Sequence, residues 1–351
     1  MKFSKENRAF DRALKERVSS YFEEHNLNRY GDMRAYVKTL IFAILWLGPF
    51  ILHFFYGFPL LVSIGLGIIS GLAMAGINMG TMHDAMHGSY SKKKWVNNLL
   101  GYGILELLSG GDGQNWKEQH NIGHHTFTNV VGHDDDIGTP LFRFAKACGH
   151  KNAHKYQHIY AKFSYPLMTL LWITTKDWSQ IKRYLENGRV KKRDKAKRYV
   201  RLAISKTLYY TVWIVLPLIF WESAWSVLGF FLAMHLVCGN TLANIFQMAH
   251  VLPETDIYEE GDQISSFAEH QLRTTANFAT DNKLMTWYCG GLNHQVEHHL
   301  FSNYCHVHYP AISKIVRSSA KKFGLPYHEN ATFRSAKEKH FFYLEELGQV
   351  A

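Results

Sequence analysis

The chain has 351 residues, 47% hydrophobic and 15% aromatic, with 39 Lys and Arg against 29 Asp and Glu for a formal charge of +10. That apolar share argues against disorder. The basic balance fits anionic headgroups, phosphate-bearing substrates or an acidic protein partner, while the long apolar segments argue against nucleic acid.

At the start of the chain, "MKFSKENRAFDRALKERVSSYFEE" lacks the apolar core of a signal peptide, so none is expected. Phe10, Leu14, Val18, Tyr21 and Phe22 recur at helical spacing, predicting an amphipathic helix laid on the membrane face or on the protein body. Next come two apolar stretches, 37–56 and 59–79, each long enough to cross a bilayer and separated by a tight Gly-Phe-Pro break. A second pair, 202–221 and 224–246, follows much later, and Lys206 near its start is expected to snorkel. Two shorter apolar runs, 97–110 and 164–175, are too short to cross and suit interfacial or re-entrant helices. Lys92, Lys93 and Lys94 follow the second stretch and a Lys/Arg-rich run, 181–201, precedes the third, whereas both hairpin tips lack Lys and Arg. By the positive-inside rule both termini and the polar segments are cytoplasmic. The expected fold is an all-α integral membrane protein. Four transmembrane helices form two hairpins, and a cytoplasmic helical cap is built from 80–201 and 247–351, all in one domain, 1–351. Four cysteines, Cys148, Cys238, Cys289 and Cys305, show no C-x-x-C spacing and read as reduced, mostly buried thiols.

The 21 histidines are not scattered. "HDAMH" places His83 and His87 four apart just after the second stretch, and "HNIGHH" supplies His120, His124 and His125. His250 stands at the cytoplasmic end of the fourth span, and "NHQVEHH" adds His294, His298 and His299. A spacing of four projects two imidazoles from one helical face. The expected topology brings all these groups to one side of the membrane. His235 lies about 22 Å deeper on the same helix as His250, at the usual rise per residue, and reads as a structural or tunnel histidine, as does His53. His150, His154 and His158 share the spacing but sit on a Lys-rich segment, predicting a solvated or lipid-facing helix. Eight clustered histidines are too many for one zinc and right for two ions with open positions, so two redox-active irons are the economical inference. Asp84, Glu106, Asp134, Asp136 and Glu297 are available to hold imidazole tautomers.

These motifs resemble the three histidine boxes of the membrane-bound fatty acid desaturases: H-x-x-x-H in "HDAMH", H-x-x-x-H-H in "HNIGHH", and the Gln variant of the third box in "QVEHH". That variant, with "NWKEQHNIGHHTFTN" and "GHDDDI", is similar to the front-end subgroup, which acts between an existing double bond and the carboxyl end. The resemblance, over roughly residues 5 to 335, implies metal ligands at His83, His87, His120, His124, His125, His298 and His299, with a further one at His250. Related desaturases carry an Asn one turn before that last histidine, where this chain has Phe246 beside Gln247. The His-Pro-Gly-Gly motif of a fused haem domain is not found. The resemblance thus implies a separate electron donor, a ferredoxin or a free cytochrome, with O2 as co-substrate. It also implies an acyl group carried on coenzyme A, a carrier protein or a phospholipid. A membrane di-iron hydroxylase or monooxygenase shares the boxes, and a zinc-dependent membrane hydrolase is the non-redox alternative. Gln295 lies three and four residues before His298 and His299, so it is expected to line the metal site, with His294 peripheral.

Overall fold

The computed structural model describes residues 3–4, 8–221, 223–259, 261–264 and 266–349. Glu222, at the expected tip of the second pair of spans, lies outside the described residues, as do the outermost residues of the expected 1–351 domain.

Among the described residues four helices are long and apolar enough to cross a membrane: Met33–Tyr56, Leu60–His87, Lys192–Phe220 and Ala224–His250. The Asp32 carboxylate caps the first by accepting from the Arg34 amide, and Gly57, at φ 57°, ends it in the left-handed conformation. The Ser223 hydroxyl caps the fourth. These helices outrun the apolar stretches. The second continues to His87 and so carries the first histidine pair; the fourth ends at His250; the third begins at Lys192. Helical propensity persists through the polar residues after the apolar stretch stops.

The second and fourth helices touch at Gly67 and Gly71, one turn apart in "GIISG". A Cβ on either would lie 2.5 Å from the carbonyl oxygen of Phe230 or Met234, so only glycine permits this approach. Trp46, Phe50, Trp213 and Phe230 fill the space between the helices. Leu61 and Trp225 stand 82% and 70% exposed with many other large apolar residues on the outward faces. So much exposed apolar surface suits lipid, not water.

Lys206 does not snorkel. Its ammonium turns inward, donating to Gly110 O at 2.5 Å and Trp172 O at 3.0 Å and pairing with Asp177 at 2.7 Å. The buried acceptors on these two segments outcompete the headgroup layer. Both shorter apolar runs are helical, over Lys94–Tyr102 with Gly103–Leu108, and in short segments from Gln157 to Lys176.

The N-terminal helix, Ala9–Glu24, lies on the protein body. Phe10, Leu14, Val18 and Phe22 pack with Ile312, Val316 and Ala320 of helix Tyr309–Phe323. A short parallel ladder, Ala276–Phe278 on His328–Asn330, supports the third histidine segment, because Asn277 Oδ1 accepts from the Val296 amide at 2.9 Å. Among the described residues the four thiols are free, and three are buried. In the 150–158 segment Lys151, Asn152, Ala153, Lys155 and Tyr156 are exposed, as a solvated stretch would be, but the histidines turn inward. His154 is buried, His150 Nε2 bonds Gly348 O at 2.9 Å, and the segment packs on the C-terminal helix Phe333–Gln349.

Candidate metal centre

Each histidine group is delivered by a local device. Before His83 the second helix widens to π geometry over Asn78–Met82, and the second group lies on a wide stretch, Lys117–His124. This matters for "HNIGHH". In an α-helix, residues five apart diverge by about 140° around the axis. The i→i+5 turn removes that divergence, and His120 and His125 face one another with their Nε2 atoms 3.2 Å apart. The third group rides on the short helix Gln295–Leu300. It is brought in by Gly290, at φ 63°, whose missing Cβ would strike Met79 O at 2.5 Å.

The imidazoles meet in two groups. Ring nitrogens of His83, His87, His120 and His298 lie within 4.8 Å of one another, and those of His124, His250 and His299 do the same. His125 stands between them, grouped with His298 and His299. His83 Nε2 and His120 Nε2 are 3.0 Å apart, a contact of two lone pairs unless a proton or a cation lies between. His87 Nε2, His298 Nε2, His299 Nε2, His125 Nδ1 and both nitrogens of His250 are buried without a hydrogen-bond partner. Each such atom costs about 1–3 kcal/mol. Several converging on one volume call for a shared cation, and the donor set suits a metal centre.

Hydrogen bonds on the opposite ring nitrogens fix the tautomers that such ions require. His298 Nδ1 meets the Tyr309 hydroxyl at 3.1 Å, and His299 Nδ1 meets Gln271 Oε1 at 3.0 Å with Thr128 Oγ1 at 3.1 Å. His124 Nδ1 meets Asp134 at 3.0 Å and Asp136 at 3.4 Å. Burial holds His120, His125, His298 and His299 well below the ordinary histidine pKa, and mutual crowding adds to it. Burial thus favours the neutral imidazole, the form that binds a metal. Burial acts the same way on His124, but the charges of Asp134 and Asp136 outweigh it and push its pKa up to about 9.

Only two of the five expected acids hold a clustered histidine, Asp134 and Asp136. Asp84 turns away from the cluster to His306 Nδ1 at 2.6 Å and Cys305 Sγ at 2.9 Å. Glu106 pairs with Arg201, and Glu297 accepts from Asn277 at 2.9 Å and Tyr327 at 3.0 Å. Sequence reasoning missed Thr128, Gln271, Tyr309 and His306. Gln295 and His294 face different spaces. Gln295 shares a cavity of about 100 Å³ with His120, His124, His250, Phe246 and Gln247, and its Oε1 is buried without a partner. His294 lies over Glu297, 3.7 Å away, and lines a separate cleft. His235 bonds the Tyr209 hydroxyl and Thr169 Oγ1, and His53 bonds Ser63 and stacks on Trp221 at 3.5 Å, so both tie spans together.

The cavity beside the cluster, walled by Trp116, Met168, Trp172, Ala243 and Phe246, adjoins an outer cleft of about 350 Å³. The two share Gln119, Asp136, Met168, Lys176, Ala243 and Gln247. Phe142, Phe144, Tyr165 and Leu171 make the outer part apolar, while Lys176 and Arg183 line it together with Asp135 and Asp136, and Arg183 is paired with Asp135 at 2.9 Å.

The profile of the fatty acid desaturase family matches residues 59–331, a span that holds every clustered histidine. The chain is 34% identical to an sn-1 linoleoyl-lipid 6-desaturase of Synechocystis sp., covering 99% of this chain and 97% of that protein. It is 33% identical to an acyl-lipid (8-3)-desaturase of Physcomitrium patens, over 98% of this chain and 72% of that protein. An sn-1 linoleoyl-lipid 6-desaturase of Arthrospira platensis is 30% identical over 96% of this chain and 92% of its own length. Histidine cluster, apolar helices and whole-length similarity agree: the chain belongs to the fatty acid desaturase family and is an oxidoreductase of fatty acyl chains.

Proposed function

We propose that this desaturase places a cis double bond between an existing one and the carboxyl end of its acyl chain, using O2 and a pair of irons. The convergence of eight buried imidazoles in two adjoining groups carries the reading. His83, His87, His120 and His298 would hold one ion, and His124, His250 and His299 would hold the other, with His125 between them. Gln295, whose amide oxygen is buried without a partner, shares a cavity with His124 and His250 of the second group. Iron bound there supplies the O2 chemistry that removes hydrogen from an unactivated methylene.

The rest is the chain's own work. Tyr309, Gln271, Thr128 and Asp134 hold the imidazoles in one tautomer and orientation. Trp116, Met168, Trp172 and Phe246 keep water from the methylene. The carrier is a phospholipid, coenzyme A or a carrier protein, and the relatives named for acyl-lipid substrates favour the first. The "QVEHH" variant and the relatives named 6-desaturases of linoleoyl lipid support the carboxyl-side position.

In the membrane the four helices form two hairpins with both ends cytoplasmic, and the segments after His87 and His250 form a cap in one domain with them. Electrons come from a separate carrier, a ferredoxin or a free cytochrome. Gas chromatography with mass spectrometry of lipids from a host fed monounsaturated and diunsaturated fatty acids tests the reading. Wild type yields a new cis double bond on the carboxyl side and His298→Ala yields none. Hydroxylated products without a new alkene would contradict it.

A further inference from the structure

A cleft of about 850 Å³ lies apart from the acyl cleft and shares no residue with it. Arg34, Lys38, Lys283, Lys314, Arg317 and Lys321 line it, with Asp281 as the one lining acid. Arg34 is paired with Asp32 and Arg317 with Glu329, but Lys283, Lys314 and Lys321 make no ion pair among the described residues. Trp287, Val307 and Pro310 add apolar surface within this ring of charge.

The floor of the cleft reaches toward the metal centre. His306 lines it and bonds Asp84, the residue next to His83. Pro310 lines it beside Tyr309, whose hydroxyl meets His298. Two short bonded routes thus join this surface to two clustered histidines.

The geometry points to this cleft as the docking site of a small, acidic electron-carrier protein. The inference rests on the desaturase reading. Forming the double bond removes two hydrogen atoms, with two electrons, from adjacent methylenes, while reducing O2 to two waters takes four electrons and four protons. Two electrons and two protons must therefore enter from outside for each turnover, the electrons from a carrier. Charge complementarity selects an acidic partner, and the mixed basic and apolar lining suits a transient complex. A second basic basin, with Lys117, Lys191, Arg193, Lys197 and Arg198, is the rival surface. It shares Tyr102 and Lys197 with an apolar groove along Val200, Ile204 and Leu208 of the third span.

The test uses the full chain in lipid nanodiscs, assayed for alkene formation with dithionite, with reduced plant-type ferredoxin and with reduced cytochrome b5. Lys283→Glu, Lys314→Glu and Lys321→Glu, combined, alter exposed residues only. They raise KM for the acidic carrier about tenfold or more and flatten its salt dependence. Dithionite-driven turnover and KM for the acyl substrate stay unchanged. The matching reversal in the rival basin (Lys191→Glu, Arg193→Glu, Lys197→Glu) leaves the carrier KM unaltered. The inference is overturned by an unchanged carrier KM in the first variant, by loss confined to the second, or by a rise in acyl KM instead. Wild-type turnover with dithionite but with neither carrier also overturns it. No alkene from wild type under any reductant defeats the desaturase reading, and this inference with it.

Discussion

Two sets of histidines in this chain share the i, i+4 spacing and meet different ends. His83 and His87 turn into a volume where nitrogens from two other segments, those of His120 and His298, arrive within 4.8 Å. His150, His154 and His158 turn onto the C-terminal helix, where His150 bonds a backbone carbonyl and His158 lies 3.9 Å from Glu345. His154 Nε2 is also buried without a partner, yet among the described residues no group of metal-holding donors forms around it. Spacing puts two imidazoles on one face. Convergence of unpartnered nitrogens from distant segments is what makes a metal site, and burial of one histidine does not.

Substitutions sharpen this contrast, beginning with the largest effect. His298→Ala removes a member common to two donor groups. Its iron content and its double-bond formation fall by at least about a hundredfold, read by elemental analysis and by product chromatography, since losing a ligand exceeds the loss seen for outer partners. Asp134→Asn keeps the shape and removes the charge that holds His124. It weakens metal retention about 10- to 100-fold in a chelator competition.

The same pair has a pH signature in the metal-free protein. The folded pKa of His124 lies above its unfolded value of about 6.5. Its stabilising contribution is therefore complete below that value and disappears as pH rises through about 9. Melting temperature against pH, measured after chelation, shows this decline in wild type and not in Asp134→Asn. His154→Ala, from the other set, lowers stability by about 1–3 kcal/mol in a denaturant titration and leaves iron content unchanged. The smallest effect separates neighbours: Gln295→Ala lowers metal content modestly, and His294→Ala leaves it as in wild type. The reverse order would place His294 at the metals.

The apolar stretches and the eight clustered histidines were legible because periodicity and short spacing record them within one segment. The partners that orient those histidines were not. Gln271 and Thr128 reach His299 from 28 and 171 residues away, and neither carries a local signature. Asp84 was misread for the same reason. Its neighbour in sequence is His83, but its side chain leaves on another face for His306, 222 residues on. The inward turn of Lys206 depended on acceptors at Gly110 and Asp177, which no count of apolar residues reveals. The widened turn over Lys117–His124 is a backbone adjustment made for the site, and it explains how "HNIGHH" aims residues five apart at one place.

Metal analysis of the purified, active chain tests the central claim most directly. Two irons per chain, lost together with double-bond formation in His298→Ala, is the predicted result. About one zinc per chain with no iron, or iron content unmoved by His298→Ala, would contradict it.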